Sequence, residues 1–138
     1  MGKVVIPMAL ADTLKRIAQP KSDAEVFFEN KLKYEIAPAL LKERMDHGHQ
    51  DFQVIDVRTR AAYDMGHIPG AWSVPYQELD DHIGEFSFYK ENIVCGYSIT
   101  CQLSYDVARK LAEQGYSVKV LIGGMEEWER KKLPISTE

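Results

Sequence analysis

The sequence predicts an α/β fold: a central parallel sheet flanked by helices on both faces, preceded by an N-terminal helical extension. Two observations predict it. From Phe52 onward, short apolar runs rich in β-branched residues alternate with helical stretches in the repeated order strand, helix, strand, helix. Parallel strands are joined by crossovers of a dozen or more residues, usually helical, so this order implies a parallel sheet covered by its own connections. The second is length, since 138 residues suits one main core and leaves little room for a second full domain.

The elements follow in order. Residues 12–18 read as a short helix stopped by Pro20. Ser22 then caps the run SDAEVFFENKLKYEI, with Glu25 three residues on as its capping-box partner. A third helix, PALLKERMDHG, has Pro38 in its first turn and stops at Gly48. FQVIDV is a strand, TRAAYDMG a short helix ended by Gly66, and GAWSVP a strand closed by Pro75. QELDDHIGEF reads as helix and NIVC as a third strand. In LSYDVARKLAEQG the apolar residues Leu103, Val107, Ala108 and Leu111 fall on one face of a 3.6-residue period, and Gly115 closes the helix. VKVLIGG is a fourth strand and MEEWERKKL a last helix. This divides the chain into a helical extension over residues 1–34 and an α/β domain over 35–138.

Composition narrows the function classes. Hydrophobic residues at 45% and charged residues at 28% describe an ordinary globular chain rather than a disordered one. No apolar run approaches a membrane span, and the opening residues offer neither a persuasive cleavage site nor, with Ile6 at the sixth position, an acylation signal. A mature cytoplasmic protein is the expectation. The net charge of -4 gives no basic footprint for nucleic acid. Two cysteines do not make a disulfide framework, so reduced thiols with a chemical or packing role are expected. His47 and His49 sit at a helix end without partners at ligand spacing, so no metal and no cofactor are expected.

In open parallel sheets, ligands bind outside the carboxyl ends of the strands. Here those ends are the loops beginning near Arg58, Pro75, Cys95 and Gly123. Both cysteines, Cys95 and Cys101, lie in or beside one of them, in NIVCGYSITCQLS. A thiol at such a place, ahead of a helix N-terminus, meets partial positive charge. That setting lowers a cysteine pKa from about 8.5 to between about 3.5 and 7.5. The resulting thiolate can attack an electrophilic sulfur.

The chain resembles the rhodanese-like (sulfurtransferase) family, single-domain type, over residues 34–135. The matching pieces are VIDVRTRAAYDMGHIPGAWSVP, the cysteine loop ahead of LSYDVARKLAEQGYSV, and LIGGMEEWERKKLPI. The order DVR, GHIPGA, a Cys-bearing loop, GY and GG-x-x-x-W is specific even though each fragment alone is weak. The resemblance implies transfer of sulfane sulfur: a cysteine takes it from a donor such as thiosulfate, becomes a persulfide, and passes it to cyanide or a thiol. A protein thiol could also accept it. The resemblance places the active loop at Gly96, Tyr97, Ser98, Ile99, Thr100 and Cys101, supported by Asp56 and Arg58.

The cysteine loop departs from the family pattern. Members with a second loop cysteine commonly space the two five positions apart; here they are six apart, which puts the first one's place on Gly96 if Cys101 is the second. Either the loop holds one extra residue and Cys95 is the nucleophile, or Cys95 has slipped back into the strand and the first site is lost. Cys95 is the preferred nucleophile, with Cys101 as alternative or resolving thiol. A one-residue slip turns a strand side chain to the opposite face and can bury the sulfur.

Blander roles stand beside these. Free cysteine is among the most buried residue types. Asp56 and Arg58 fit a fold-stabilising ion pair, His67 a structural hydrogen bond, Trp72 and Trp128 packing, and Gly123 and Gly124 a close backbone approach or positive φ. A phosphatase of the C-x-x-x-x-x-R kind fits in neither frame, since the Arg position falls on Cys101 or Val107. A non-catalytic domain of the same family, binding a partner or sensing redox state, is the alternative to an enzyme. No oligomeric state is legible.

Overall fold

The computed structural model describes Val5 and residues 7–138. Residues 1–4 and 6, on which the readings of a leader and an acylation signal partly rest, lie outside the described residues. Packing divides the chain into two compact units, one running to Lys31 and one from Leu32 to Glu138.

In the first unit, α1 (Met8–Ala18) starts earlier than the expected 12–18 because the Pro7 carbonyl already accepts the Ala11 N–H at 2.9 Å. Proline at a helix start sacrifices no hydrogen bond. Lys15 and Arg16 occupy the last turn, where cations suit the negative end of the helix dipole. α2 (Asp23–Tyr34), whose last three residues count in the second unit, opens as its capping signal requires: the Ser22 hydroxyl accepts the Glu25 N–H at 3.1 Å.

The second unit is a five-stranded sheet of β1 (Glu35–Ile36), β2 (Phe52–Asp56), β3 (Trp72–Ser73), β4 (Glu91–Cys95) and β5 (Val118–Leu121). Its spatial order is β1-β5-β4-β2-β3, and every pairing is parallel. The connections are α3 (Pro38–Asp46), α4 (Arg60–Met65), a 3-10 turn (Tyr76–Glu78) leading into α5 (Leu79–His82), and α6 (Leu103–Glu113). α7 (Gly124–Arg130) follows the last strand.

Two elements differ from expectation. Glu35 and Ile36 read as the end of a helix, yet they pair with Val120 and Leu121 as an edge strand. Two residues carry no periodicity, and the partner that makes them a strand lies far downstream. The helix read in QELDDHIGEF is instead the 3-10 turn and a single α turn that stops at Ile83, just ahead of Gly84.

Side-chain alternation on the central strands builds two cores, one per face. Ile55, Val94 and Val120 point to one face, where Leu79, Phe86, Val107, Ala108 and Leu111 cover them. Val54, Ile93 and Cys95 point to the other, where Leu41 of α3 and Met125 and Trp128 of α7 cover them. Trp128 is fully buried and its indole N–H donates to the Pro134 carbonyl at 2.8 Å. Among the described residues no helix is long and apolar enough to cross a membrane.

Candidate active site

The carboxyl ends of β2 and β4 lie side by side, with Asp56 opposite Cys95. The Val57 N–H donates to the Cys95 carbonyl at 3.0 Å and prolongs the ladder into the loops. Asp56 is almost wholly buried, and Arg58 folds back on it with Nε 3.0 Å from Oδ1 and a terminal nitrogen 2.8 Å from Oδ2. The Arg58 backbone N–H donates to Oδ1, and the same terminal nitrogen reaches the Gly66 carbonyl at 2.7 Å. A buried charge pair held in this way fixes the β2 loop and leaves Arg58 committed to its partners. The sequence left loop support and a fold-stabilising ion pair open for these two residues, and the structure shows a buried ion pair.

Cys95, the preferred nucleophile from the sequence, is the last residue of β4 and is 0% exposed. It shares the face of Ile93 and packs in the core with Leu121, Met125 and Trp128. Burial pushes its thiol well above the ordinary cysteine range; the Asp56 carboxylate adds to the rise and Arg58 opposes it. The S–H points to the Gly96 carbonyl at 3.6 Å. A neutral thiol in hydrocarbon is a poor nucleophile.

The loop after it is anchored at both ends. The Gly96 and Tyr97 carbonyls accept the N–H groups of Met125 and Glu126, each at 2.9 Å, so the loop caps the start of α7. The approach is so close that a Cβ on Gly124, which has φ +56°, would lie 2.5 Å from the Gly96 oxygen. Gly123 also has positive φ, at +76°. The two glycines therefore satisfy both expectations, a left-handed turn and a tight backbone contact. Tyr97 ties the loop to its neighbour: its hydroxyl accepts the Thr59 N–H at 3.0 Å, and Thr59 caps α4 by accepting the Ala62 N–H at 3.2 Å. Ser98 and Thr100 join hydroxyls at 3.1 Å, and the Cys101 N–H closes a turn on the Ser98 carbonyl at 3.0 Å.

Cys101 differs from Cys95 in exposure and in position. It is partly exposed and stands two residues before α6, on a turn fastened by the Ser104 hydroxyl donating to its carbonyl at 3.3 Å. Its sulfur lies 3.1 Å from the place a Cβ on Gly96 would occupy. The absent side chain at Gly96 thus leaves the space in which the Cys101 sulfur sits. With Gln102, Ile99, Thr100, Tyr105 and Asp106, Cys101 lines an open cleft of about 570 Å³. A neighbouring cleft of about 320 Å³ continues past Ile99 to Pro38, Ile122 and α7.

Sequence reasoning named the loop but not what steadies it. Thr59, Ser104 and Tyr105 went unmarked, although a threonine before a helical run is a visible capping signal. The Tyr105 hydroxyl donates to Glu35 at 2.5 Å, and partial burial together with this bond pushes its phenol up to about 12. His67 is buried, stacked on Tyr63 at 3.6 Å, with its ring nitrogens 2.8 and 2.9 Å from the Tyr63 and Glu138 carbonyls. It is structural, as expected.

Comparison with known proteins agrees with this fold. A family model described as Rhodanese-like domain matches residues 37–131. The chain is 34% identical over 86 residues to Thiosulfate sulfurtransferase GlpE of Actinobacillus succinogenes, covering 61% of this chain and 75% of that protein. It is 33% identical over 100 residues to HTH-type transcriptional regulator Rv0324 of Mycobacterium tuberculosis, covering 72% of this chain. The chain spans only 43% of that regulator's length. Among solved structures, BH2092 protein from Bacillus halodurans superposes with a TM-score of 0.77 at 32% identity, covering 83% of this chain and 84% of that one. A parallel α/β sheet, a thiol-bearing loop at its carboxyl edge and these matches together show that the chain belongs to the rhodanese-like domain family.

Proposed function

We propose that the chain transfers sulfane sulfur, with Cys101 as the residue that carries it and Cys95 as a core residue. The observation that supports this choice is the contrast between the two sulfurs: one fully buried in the core, the other partly exposed on a cleft directly ahead of α6. The first N–H groups of a helix lack intrahelical partners and carry partial positive charge, which suits a sulfur bearing negative charge. The Cys101 thiolate attacks the outer sulfur of a donor; a new S–S bond forms, the donor's own S–S bond breaks, and the remainder leaves as a thiolate or sulfite. An acceptor thiolate or cyanide then attacks the terminal sulfur of the persulfide. That second cleavage returns Cys101 as thiolate and releases a persulfide or thiocyanate, with no net oxidant needed. A free thiol of this kind belongs in a reducing compartment such as the cytoplasm. The GlpE relatives, named as thiosulfate sulfurtransferases, support the reaction class.

The test is sulfur loading. After incubation with sulfane-sulfur donors, the mass of one added sulfur atom should appear on the peptide bearing Cys101. It should persist in Cys95→Ala and vanish in Cys101→Ser. Loading that follows Cys95 instead would sink the assignment. A second reading, a non-catalytic binding or redox-sensing module, draws on the burial of Cys95 and on the regulator among the relatives. Absence of loading from every donor would favour it.

A further inference from the structure

The charges around Cys101 bear on what its donor can be. The cysteine loop from Gly96 to Gln102 contains no lysine or arginine. The two clefts that meet at Ile99 carry three carboxylates, Asp106, Glu126 and Glu127, against a single ammonium, Lys131. That ammonium is already answered by Glu127, 3.8 Å away, which also holds Arg130 at 2.7 Å. Asp106 has Arg109 no nearer than 4.0 Å, and Glu126 has no ion-pair partner among the described residues. Arg58, the buried cation beside this edge of the sheet, is held by Asp56 and the Gly66 carbonyl. Among the described residues lining the two clefts, a dianion meets carboxylates and no uncommitted cation, and like charge in a cleft disfavours entry.

The surface beyond Cys101 is instead apolar. Ile99 is 74% exposed and Ile122 36% exposed, and with Pro38 they wall the cleft that continues from the cysteine. Exposed aliphatic walls beside a reactive group are suited to hold a hydrocarbon portion of a ligand.

Resting on the sulfur-transfer reading above, we propose that Cys101 takes its sulfur from a persulfide carried on an uncharged, apolar organic group, seated against Ile99 and Ile122, rather than from the thiosulfate dianion. The electrophile is the protonated persulfide R–S–SH. The Cys101 thiolate attacks its outer sulfur, the R–S to S bond breaks, RS⁻ leaves, and the proton stays on the transferred sulfur. Atoms and charge balance without a further reagent.

The experiment compares loading rates of Cys101 by benzyl persulfide, 4-carboxybenzyl persulfide and thiosulfate, each divided by the same donor's rate with free N-acetylcysteine. The added sulfur on the Cys101 peptide is the readout. Benzyl persulfide should exceed thiosulfate by about tenfold after this correction, and exceed its carboxylated analogue several-fold. Glu126→Gln combined with Asp106→Asn should narrow the gap to the charged donors, and Ile99→Asp should slow the benzyl donor most. Thiosulfate loading Cys101 as fast as the benzyl donor would overturn the substrate class while leaving sulfur transfer intact. Loading by none of the three would overturn both.

Discussion

At the scale of single residues, the position of one sulfur relative to one strand decides the chemistry. Cys95 and Gly96 are adjacent, but strand alternation sends the Cys95 side chain into the core beneath α7. Its buried thiol has a pH signature. Below about pH 8.5, the ordinary cysteine value, it is protonated in the folded and unfolded chains alike. Above that, the unfolded chain releases the proton while the folded chain holds it, because burial raises the folded value. Stability must therefore fall as pH rises, at up to about 1.4 kcal/mol per pH unit. Urea unfolding of wild type between about pH 9 and 10.5 should show a loss roughly 1–2 kcal/mol greater than for Cys95→Ala. Cys101 is present in both proteins and cancels. Parallel curves would mean that Cys95 ionises in the native state. That outcome would remove the reason for preferring Cys101.

At the scale of elements, the site depends on two loops that belong to different connections yet lock together. The turn between β5 and α7 works only because Gly123 and Gly124 lack side chains: at Gly124 an added Cβ would both force a left-handed φ on an L-residue and collide with the Gly96 oxygen. Gly124→Ala should destabilise the fold by about 2–4 kcal/mol, from strain and clash together. Because the collision falls on Gly96, the Cys101 sulfur beside it should shift, and sulfur loading should drop more than the lost stability accounts for. Loading measured well below the unfolding midpoint checks this. An alanine variant that loads at the wild-type rate would mean that the Gly96 carbonyl does not set the position of the cysteine turn. The short strand β1 makes a related point, since Ile36 becomes a buried strand residue only through its pairing with Leu121.

For the second unit as a whole, stability should grade outward from the centre of the sheet. β4 is paired on both sides, by β2 and β5, and Ile93 and Val94 are fully buried on opposite faces. β1 and β3 are two-residue edges. Amide hydrogen exchange should therefore be slowest at Ile93, Val94 and Ile55 and much faster at Ile36 and Trp72. Uniform protection across the five strands would contradict that gradient. In this arrangement the sulfur-bearing loop grows from the strand paired on both sides, which suits a loop that must hold a reactive atom in place.

Sequence alone determined the layered α/β architecture, because period-two and period-3.6 patterns and glycine or proline stops are local signals, and each central strand from FQVIDV onward shows them. It also marked the cysteine loop, since both thiols lie at or just beyond the end of one strand, while the resemblance singled out Asp56 and Arg58. It left open which cysteine faces solvent. That choice belongs to the tertiary structure: whether a sulfur is buried depends on where the strand stops and on what the opposite helices place above it. Trp128 and Met125, which arrive some thirty residues later in the chain, cover Cys95. Local sequence carries no record of that cover, and only the folded sheet brings it into contact.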